Sequence, residues 1–259
     1  MAFLKADKTY TLGGIEICEK LITANSGVRY YSGKKLSTPD HKPTSITIHN
    51  TEDIDEARGT NDAEQYARAT FNNNMKDVIV HYYIDETACW HILADDTVGY
   101  HAFAAEGNNT SIAIEIVMDG SGDASDVGAE DRGARLAAAL LNKYGLGIDR
   151  LKTHRDWYPK KYCPAYILPH WDAFKRKVQY YYDSFGGEET ESGTKENARI
   201  YRVQIGAFAN LSNAEALAEK ARKAGFEATI AVRGDVDGDG KVTAADARAA
   251  LRIATGLEP

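Results

Sequence analysis

Residues 44–50 read TSITIHN and residues 111–117 read SIAIEIV. In the first stretch Ile46 and Ile48 alternate with Thr47 and His49; in the second Ile112, Ile114 and Ile116 alternate with Ala113, Glu115 and Val117. A period of two sends successive side chains to opposite faces, so both stretches predict strands. The first reads as half-buried, with its polar face turned outward. Around them other patterns fall into place. Residues 61–74 put Ala63, Tyr66, Ala67, Thr70 and Phe71 on one helical stripe. Residues 77–85, DVIVHYYID, are rich in β-branched and aromatic types. Residues 131–144 stack Leu136, Leu140 and Tyr144 beside Ala137 and Leu141, with Gly145 and Gly147 as stops. Strands and helices interleave, which predicts an α/β fold with a mixed central sheet flanked by helices.

The chain has 259 residues, enough for one sizeable core and small appendages. A net charge of -7 argues against non-specific nucleic-acid binding, which needs a basic surface. No apolar run approaches the roughly 18 residues of a membrane helix. The opening residues, MAFLKADKTYTLGG, lack the charged and apolar regions of a secretory signal. The cysteines are Cys18, Cys89 and Cys163, a sparse and odd set that is no disulfide framework. Synthesis in a reducing cytoplasm is the expectation, with Cys18 and Cys89 as small buried residues.

Composition shifts at residues 183–198, a Gly-, Ser-, Thr- and Glu-rich stretch that reads as a linker. Residues 199–233 follow a strand–helix–strand pattern: a small βαβ unit with Ala214, Leu217, Ala218 and Ala221 on one helical stripe. Residues 234–259 hold a Gly/Asp loop and an Ala-rich helix. The expected division is therefore 1–182, 183–198, 199–233 and 234–259.

His49 ends its strand on the polar face, His154 lies in KTHRDW, and Cys163 follows in KKYCPA. Zinc takes imidazole nitrogen and thiolate sulfur in tetrahedral sites, and a catalytic site keeps one position open. Two histidines and one cysteine would leave that opening. The spacing alone is weak evidence, since a strand histidine or a lone cysteine is more often structural.

Five motifs in order change the weight of that reading. ITIHNT at 46–51, SIAIEI at 111–116 and THRDWYPKKYCP at 153–164, with HYYID at 81–85 and YHAF at 100–103 between them, resemble the type 2 N-acetylmuramoyl-L-alanine amidase family. That family includes phage endolysins and is related to peptidoglycan recognition proteins. The resemblance covers roughly residues 21–178. It implies a zinc ion on His49, His154 and Cys163, and a catalytic Glu115. It also implies a catalytic Lys161, with Lys160 as the rival. If the segment is extended, residues two apart share a side, so Lys161 would face the metal that Cys163 binds. His81 and His101 are grouped as substrate-binding, His81 at a position behind the ligands and His101 lining the groove. Trp157, Tyr158 and Tyr82 either pack the groove or belong to the core; His41, His91 and His170 carry no special case. The implied reaction is hydrolysis of the amide between N-acetylmuramic acid and L-alanine in peptidoglycan. Zinc and Glu115 would activate water, and zinc and Lys161 would stabilise the oxyanion.

The stretch YRVQIGAFANLSNAEALAEKARKAGFEATI resembles the first half of a SPOR domain, which implies binding to wall glycan. Residues 235–246, DVDGDGKVTAAD, match an EF-hand-like calcium loop, with Asp235, Asp237, Asp239, Asp246 and the carbonyl of Lys241 as ligands. With the following ARAALRIATGL the loop resembles one dockerin repeat. Two half-units from different chains could pair, which makes a homodimer an expectation. A non-catalytic peptidoglycan-binding module and a cytosolic muropeptide-recycling amidase are the alternatives. A phage or prophage endolysin, made in the host cytoplasm and acting at the wall, fits these features best.

Overall fold

The computed structural model describes residues 3–51, 62–185 and 211–223. It divides into two units, residues 1–190 and 191–259. The first unit is built on a seven-stranded mixed sheet. It opens with a hairpin, β1 (Lys8–Leu12) and β2 (Ile15–Glu19), that the alternation reading did not pick out. Gly13 and Gly14 join the strands with φ of 57° and 76°. A two-residue hairpin turn with positive φ at both positions favours glycine, because a Cβ would clash there.

The chain continues through β3 (Ser45–Asn50), α1 (Asp62–Phe71), β4 (Tyr82–Ile84) and β5 (Cys89–His91). Then come α2 (Ala105–Thr110), β6 (Ser111–Ile116), α3 (Ala124–Lys143), β7 (Leu151–Thr153), α4 (His154–Trp157) and α5 (Trp171–Phe185). The strand order is β1-β2-β5-β4-β6-β3-β7. Hairpin β1/β2 and pair β4/β5 are antiparallel; β2/β5, β4/β6, β6/β3 and β3/β7 are parallel.

One face of the sheet carries Ile46, Ile48, Ile112, Ile114 and Ile116, packed in one core with Ala134, Leu136, Leu140 and Leu141 of α3 and with Phe174 and Val178 of α5. The other carries Tyr83, Ala113 and Val117, packed with Ala63 and Ala67 of α1. The isoleucines are 0% exposed, and each fully buried aliphatic side chain contributes on the order of 1.5–3 kcal/mol.

Several expectations shift. β3 is not half-buried: Thr47 and His49, its polar face, are 0% and 3% exposed. The alternation arises because the second face looks into a polar site rather than into solvent. α3 begins at Ala124, well before residue 131, because Asp123 caps it by accepting hydrogen bonds from the backbone N–H groups of Ser125 and Asp126. It stops before Gly145, which has φ 63°. α5 runs to Phe185, so residues 183–185 of the stretch read as linker are helical, and Phe185 packs against the core. Cys89 is buried as expected, whereas Cys18 is only half-buried.

In the second unit the structure describes α6 (Leu211–Lys223), which falls in the expected helix of the βαβ unit. Its Ala218 is buried. The two flanking strands and the Asp/Gly loop lie outside the described residues. Among the described residues no helix is long and apolar enough to cross a membrane.

Candidate metal centre

The site forms at the carboxyl ends of three neighbouring parallel strands, where open α/β sheets bind ligands. Register places His49 of β3 beside Glu115 of β6, and Ile48 of β3 beside Thr153 of β7. The next residue after Thr153 is His154, so the two histidines arrive together. Thr153 caps α4 through a capping box: its hydroxyl accepts from the Asp156 N–H at 3.1 Å, and the Asp156 carboxylate accepts from the Thr153 N–H at 2.7 Å. This box fixes His154 at the first helical position. The Arg155 N–H donates to the Cys163 carbonyl at 3.1 Å, which draws the cysteine loop back against α4.

The potential donor atoms of His49, His154 and Cys163 all lie within 4.8 Å of one another, and all three residues are buried. Among the described residues this is the one such group. The individual contacts say which atoms face inward. Nδ1 of His49 lies 3.7 Å from Sγ of Cys163, while its Nε2 lies 3.1 Å from Nδ1 of His101. The Nε2 of His154 is buried with no hydrogen-bond partner. A buried imidazole nitrogen with no partner is costly unless something binds it. Two imidazoles and a thiol whose donor atoms lie within 4.8 Å of one another, one of the nitrogens buried and unpartnered, suit zinc.

Burial lowers the pKa of His49 well below the usual histidine value, and the neighbouring His101, His154 and Lys161 act in the same sense. Burial, then the Lys161 charge, lowers His154 to about 4. Both rings are thus neutral near pH 7, the state that ligation requires.

Glu115 is the residue of β6 that reaches partial exposure, on the same face as His49. Its charge also bears on the phenol of Tyr83, which burial raises first and Glu115 raises further. Lys161 is exposed, yet close enough to lower the pKa of both ligand histidines. The extended-chain reason for its placement does not hold. The Lys161 N–H donates to the Tyr158 carbonyl at 2.9 Å and the Cys163 N–H to the Lys161 carbonyl at 3.0 Å, so the segment is a series of turns.

His81 and His101, expected to bind substrate, are both buried. His81 is fully buried; its Nδ1 accepts from the Ala113 N–H at 3.1 Å and its Nε2 donates to the Thr97 carbonyl at 2.9 Å. Burial lowers its pKa to about 4. His101 is 4% exposed, and its Nδ1 lies 3.1 Å from Nε2 of His49. Tyr82 stacks on His91 with ring centroids 4.3 Å apart and belongs to the core on the opposite face of the sheet. Phe103 was not singled out in the sequence. It is 72% exposed, has φ 51°, and stacks over His154 at 5.8 Å with Tyr158 5.7 Å beyond. Asn108 also went unread: its side-chain oxygen accepts from the N–H groups of His101 and Ala102 at 2.9 and 2.8 Å. It thereby pins the loop that contacts both ligand histidines. The calcium ligands expected at Asp235, Asp237, Asp239, Lys241 and Asp246 lie outside the described residues.

A sheet with this site at its strand ends can be compared with known proteins. Residues 39–166 match the N-acetylmuramoyl-L-alanine amidase family. Residues 197–258 match the SPOR domain, a stretch that runs past residue 233 and across the Asp/Gly loop. The chain is similar to N-acetylmuramoyl-L-alanine amidase CwlA of Bacillus subtilis, with 31% identity over 62% of this chain and 57% of that protein. It is also similar to the amidase XlyB of the same organism, with 30% identity over 62% of this chain and 50% of that one. The chain thus spans about half the length of these curated relatives. Among solved structures, the catalytic domain of XlyA matches with TM-score 0.53 and 28% identity, over 62% of this chain and 98% of that one. A mutant endolysin from Bacillus subtilis matches with TM-score 0.54 and 27% identity, over 63% and 99%.

Proposed function

We propose that this chain is a zinc-dependent N-acetylmuramoyl-L-alanine amidase that cuts bacterial peptidoglycan and serves as a phage or prophage endolysin. The observation that carries the reading is the convergence of His49 Nδ1, His154 Nε2 and Cys163 Sγ, with the His154 nitrogen buried and unpaired. The amidase relatives and the endolysin structure support the choice of reaction.

When bound by these three residues, zinc supplies Lewis acidity toward an amide carbonyl and lowers the pKa of a water to about 7. Glu115 takes a proton from the attacking water and passes it to the leaving nitrogen, a role typically worth 10²–10⁴-fold. Water adds to the lactyl carbonyl carbon, the C–N bond breaks, and the products are a lactyl carboxylate and the free amine of L-alanine. The Lys161 ammonium faces the developing oxyanion, an electrostatic contribution of about a few kcal/mol. Phe103 and Tyr158 offer the exposed apolar wall beside the reacting bond.

The remaining parts of the proposal rest on sequence. Residues up to Phe185 carry catalysis, 186–198 connect, and 199–233 hold wall glycan as a SPOR-type unit. The acidic loop of 234–259 binds calcium, and the C-terminal units pair two chains. The test of the core reading is chelation. Purified walls should lose turbidity with the zinc-loaded chain, stop doing so in excess chelator, and resume on adding zinc. Clearing that continues unchanged after zinc is stripped would contradict it.

A further inference from the structure

Behind the ligands runs a buried chain of hydrogen bonds whose direction is fixed at both ends. It begins at Trp157, whose indole N–H lies 2.9 Å from Thr47 Oγ1. An indole nitrogen only donates, so Thr47 accepts. The single hydroxyl proton of Thr47 goes to Ser111 Oγ at 2.9 Å. The single proton of Ser111 goes to the Gly107 carbonyl at 2.7 Å, and a carbonyl only accepts. Ser111 has no proton left for His101, whose Nε2 lies 3.4 Å from its oxygen. His101 Nε2 must then be the donor in this longest link. A neutral His101 consequently has a bare Nδ1, which accepts from His49 Nε2 at 3.1 Å. With its proton held on Nε2, His49 turns a bare Nδ1 toward Cys163. A reversed chain would put the His49 proton on Nδ1, where a metal has to bind.

We propose that Trp157, Thr47, Ser111 and His101 form a directed hydrogen-bond network, converging on Ser111 and leaving through the Gly107 carbonyl, that selects the metal-binding tautomer of His49. They are positioning residues: none of them supplies a donor atom to the site. Packing supports the arrangement. Thr47 and Ser111 are 0% exposed, so water cannot replace a lost partner. At the start of the chain Gly107 makes room for Trp157, because a Cβ there would lie 2.8 Å from the indole Cγ and 2.6 Å from the Ala102 Cβ. Outer partners of ligating histidines generally set tautomer and ring orientation, and losing one costs about 10–100-fold in metal affinity or activity.

The inference rests on the zinc reading above, and its test separates the two. Two-bond nitrogen–proton correlation spectra of the full-length, metal-free chain report the tautomer of each histidine. His49 and His101 should both carry their proton on Nε2. Zinc affinity, measured by competition with a chromophoric chelator, should fall about 10–100-fold in Ser111→Ala. It should fall less in Thr47→Val, which leaves the Ser111–His101 link, and stay near wild type in Thr47→Ser. A proton on Nδ1 of His101 in the wild-type spectrum would overturn the chain, and this readout needs no variant to fold. A Ser111→Ala affinity within twofold of wild type would overturn it too. Failure of the wild-type chain to bind zinc at all would instead overturn the zinc reading.

Discussion

Glu115 stands on a strand whose other residues are buried, and it shares a face and a register position with His49. In the proposed reaction a carboxylate there serves as the base, outside the donor cluster of His49, His154 and Cys163. Glu115→Gln is therefore expected to keep zinc and lose at least 100-fold in hydrolysis, read by metal analysis and wall clearing together. Cys163→Ser and His154→Ala are expected to lose both. If Glu115→Gln cleared walls at the wild-type rate, the general-base role would fail.

The buried histidines also set a pH dependence. His81 and His154 have folded pKa values of about 4, below the ordinary 6.5. The unfolded chain takes up protons as pH falls through 6.5, and the folded chain does not until near 4. The stability they confer is thus complete above 6.5 and drains away between 6.5 and 4, at about 1.4 kcal/mol per pH unit for each group. The urea midpoint of the metal-free protein should be lower at pH 5 than at pH 7.5. An unchanged or higher midpoint at pH 5 would contradict the buried neutral state.

The ligands themselves are legible from sequence because they rest on residue type and motif order. Which nitrogen each offers is not, because that depends on partners far along the chain. His49 meets His101 across 52 positions, and Trp157 meets Thr47 across 110. The extended-chain reason for the position of Lys161 fails, since turns rather than an extended chain bring it near the two histidines. His81 and His101 look like substrate contacts because they lie in the right motifs, yet the fold turns both inward.

At the scale of elements, α3 shows what alternation and periodicity leave out. Gly133 sits inside this helix, where glycine costs about 1 kcal/mol relative to alanine. The structure explains it: a Cβ would lie 2.3 Å from Cδ1 and 2.7 Å from Cγ1 of Ile116. Helix and sheet approach closely at the strand that carries Glu115. Gly133→Val should overpack this contact and lower stability by about 1–3 kcal/mol in urea unfolding. A stability equal to wild type would mean that α3 can move off the sheet freely. The strands of the sheet core were legible because their isoleucines alternate cleanly. The β1/β2 hairpin and α5 were missed: the former turns at Gly13 and Gly14, and the latter follows a Pro-containing stretch with mixed polarity. The half-buried reading of β3 failed because a polar face can be buried when it lines a site.

At the scale of the whole molecule, the amidase match and the SPOR match occupy separate stretches, residues 39–166 and 197–258, and the chain divides into units near residue 190. In the proposed division of labour, the first unit cuts and the second holds the wall. A chain ending after Phe185 should then cleave a soluble muramyl-peptide at the full-length rate but clear intact sacculi more slowly. Equal clearing of sacculi by both would remove the wall-binding role.

Cleavage of one defined bond leaves products that can be weighed directly. Purified sacculi are digested with the zinc-loaded full-length chain and the released material is read by mass spectrometry with amino-terminal labelling. The expected result is new free amino groups on L-alanine, with glycan strands that have lost whole stem peptides and gained no reducing ends. New reducing sugar ends, or new amino groups on any other stem residue, would contradict the assignment.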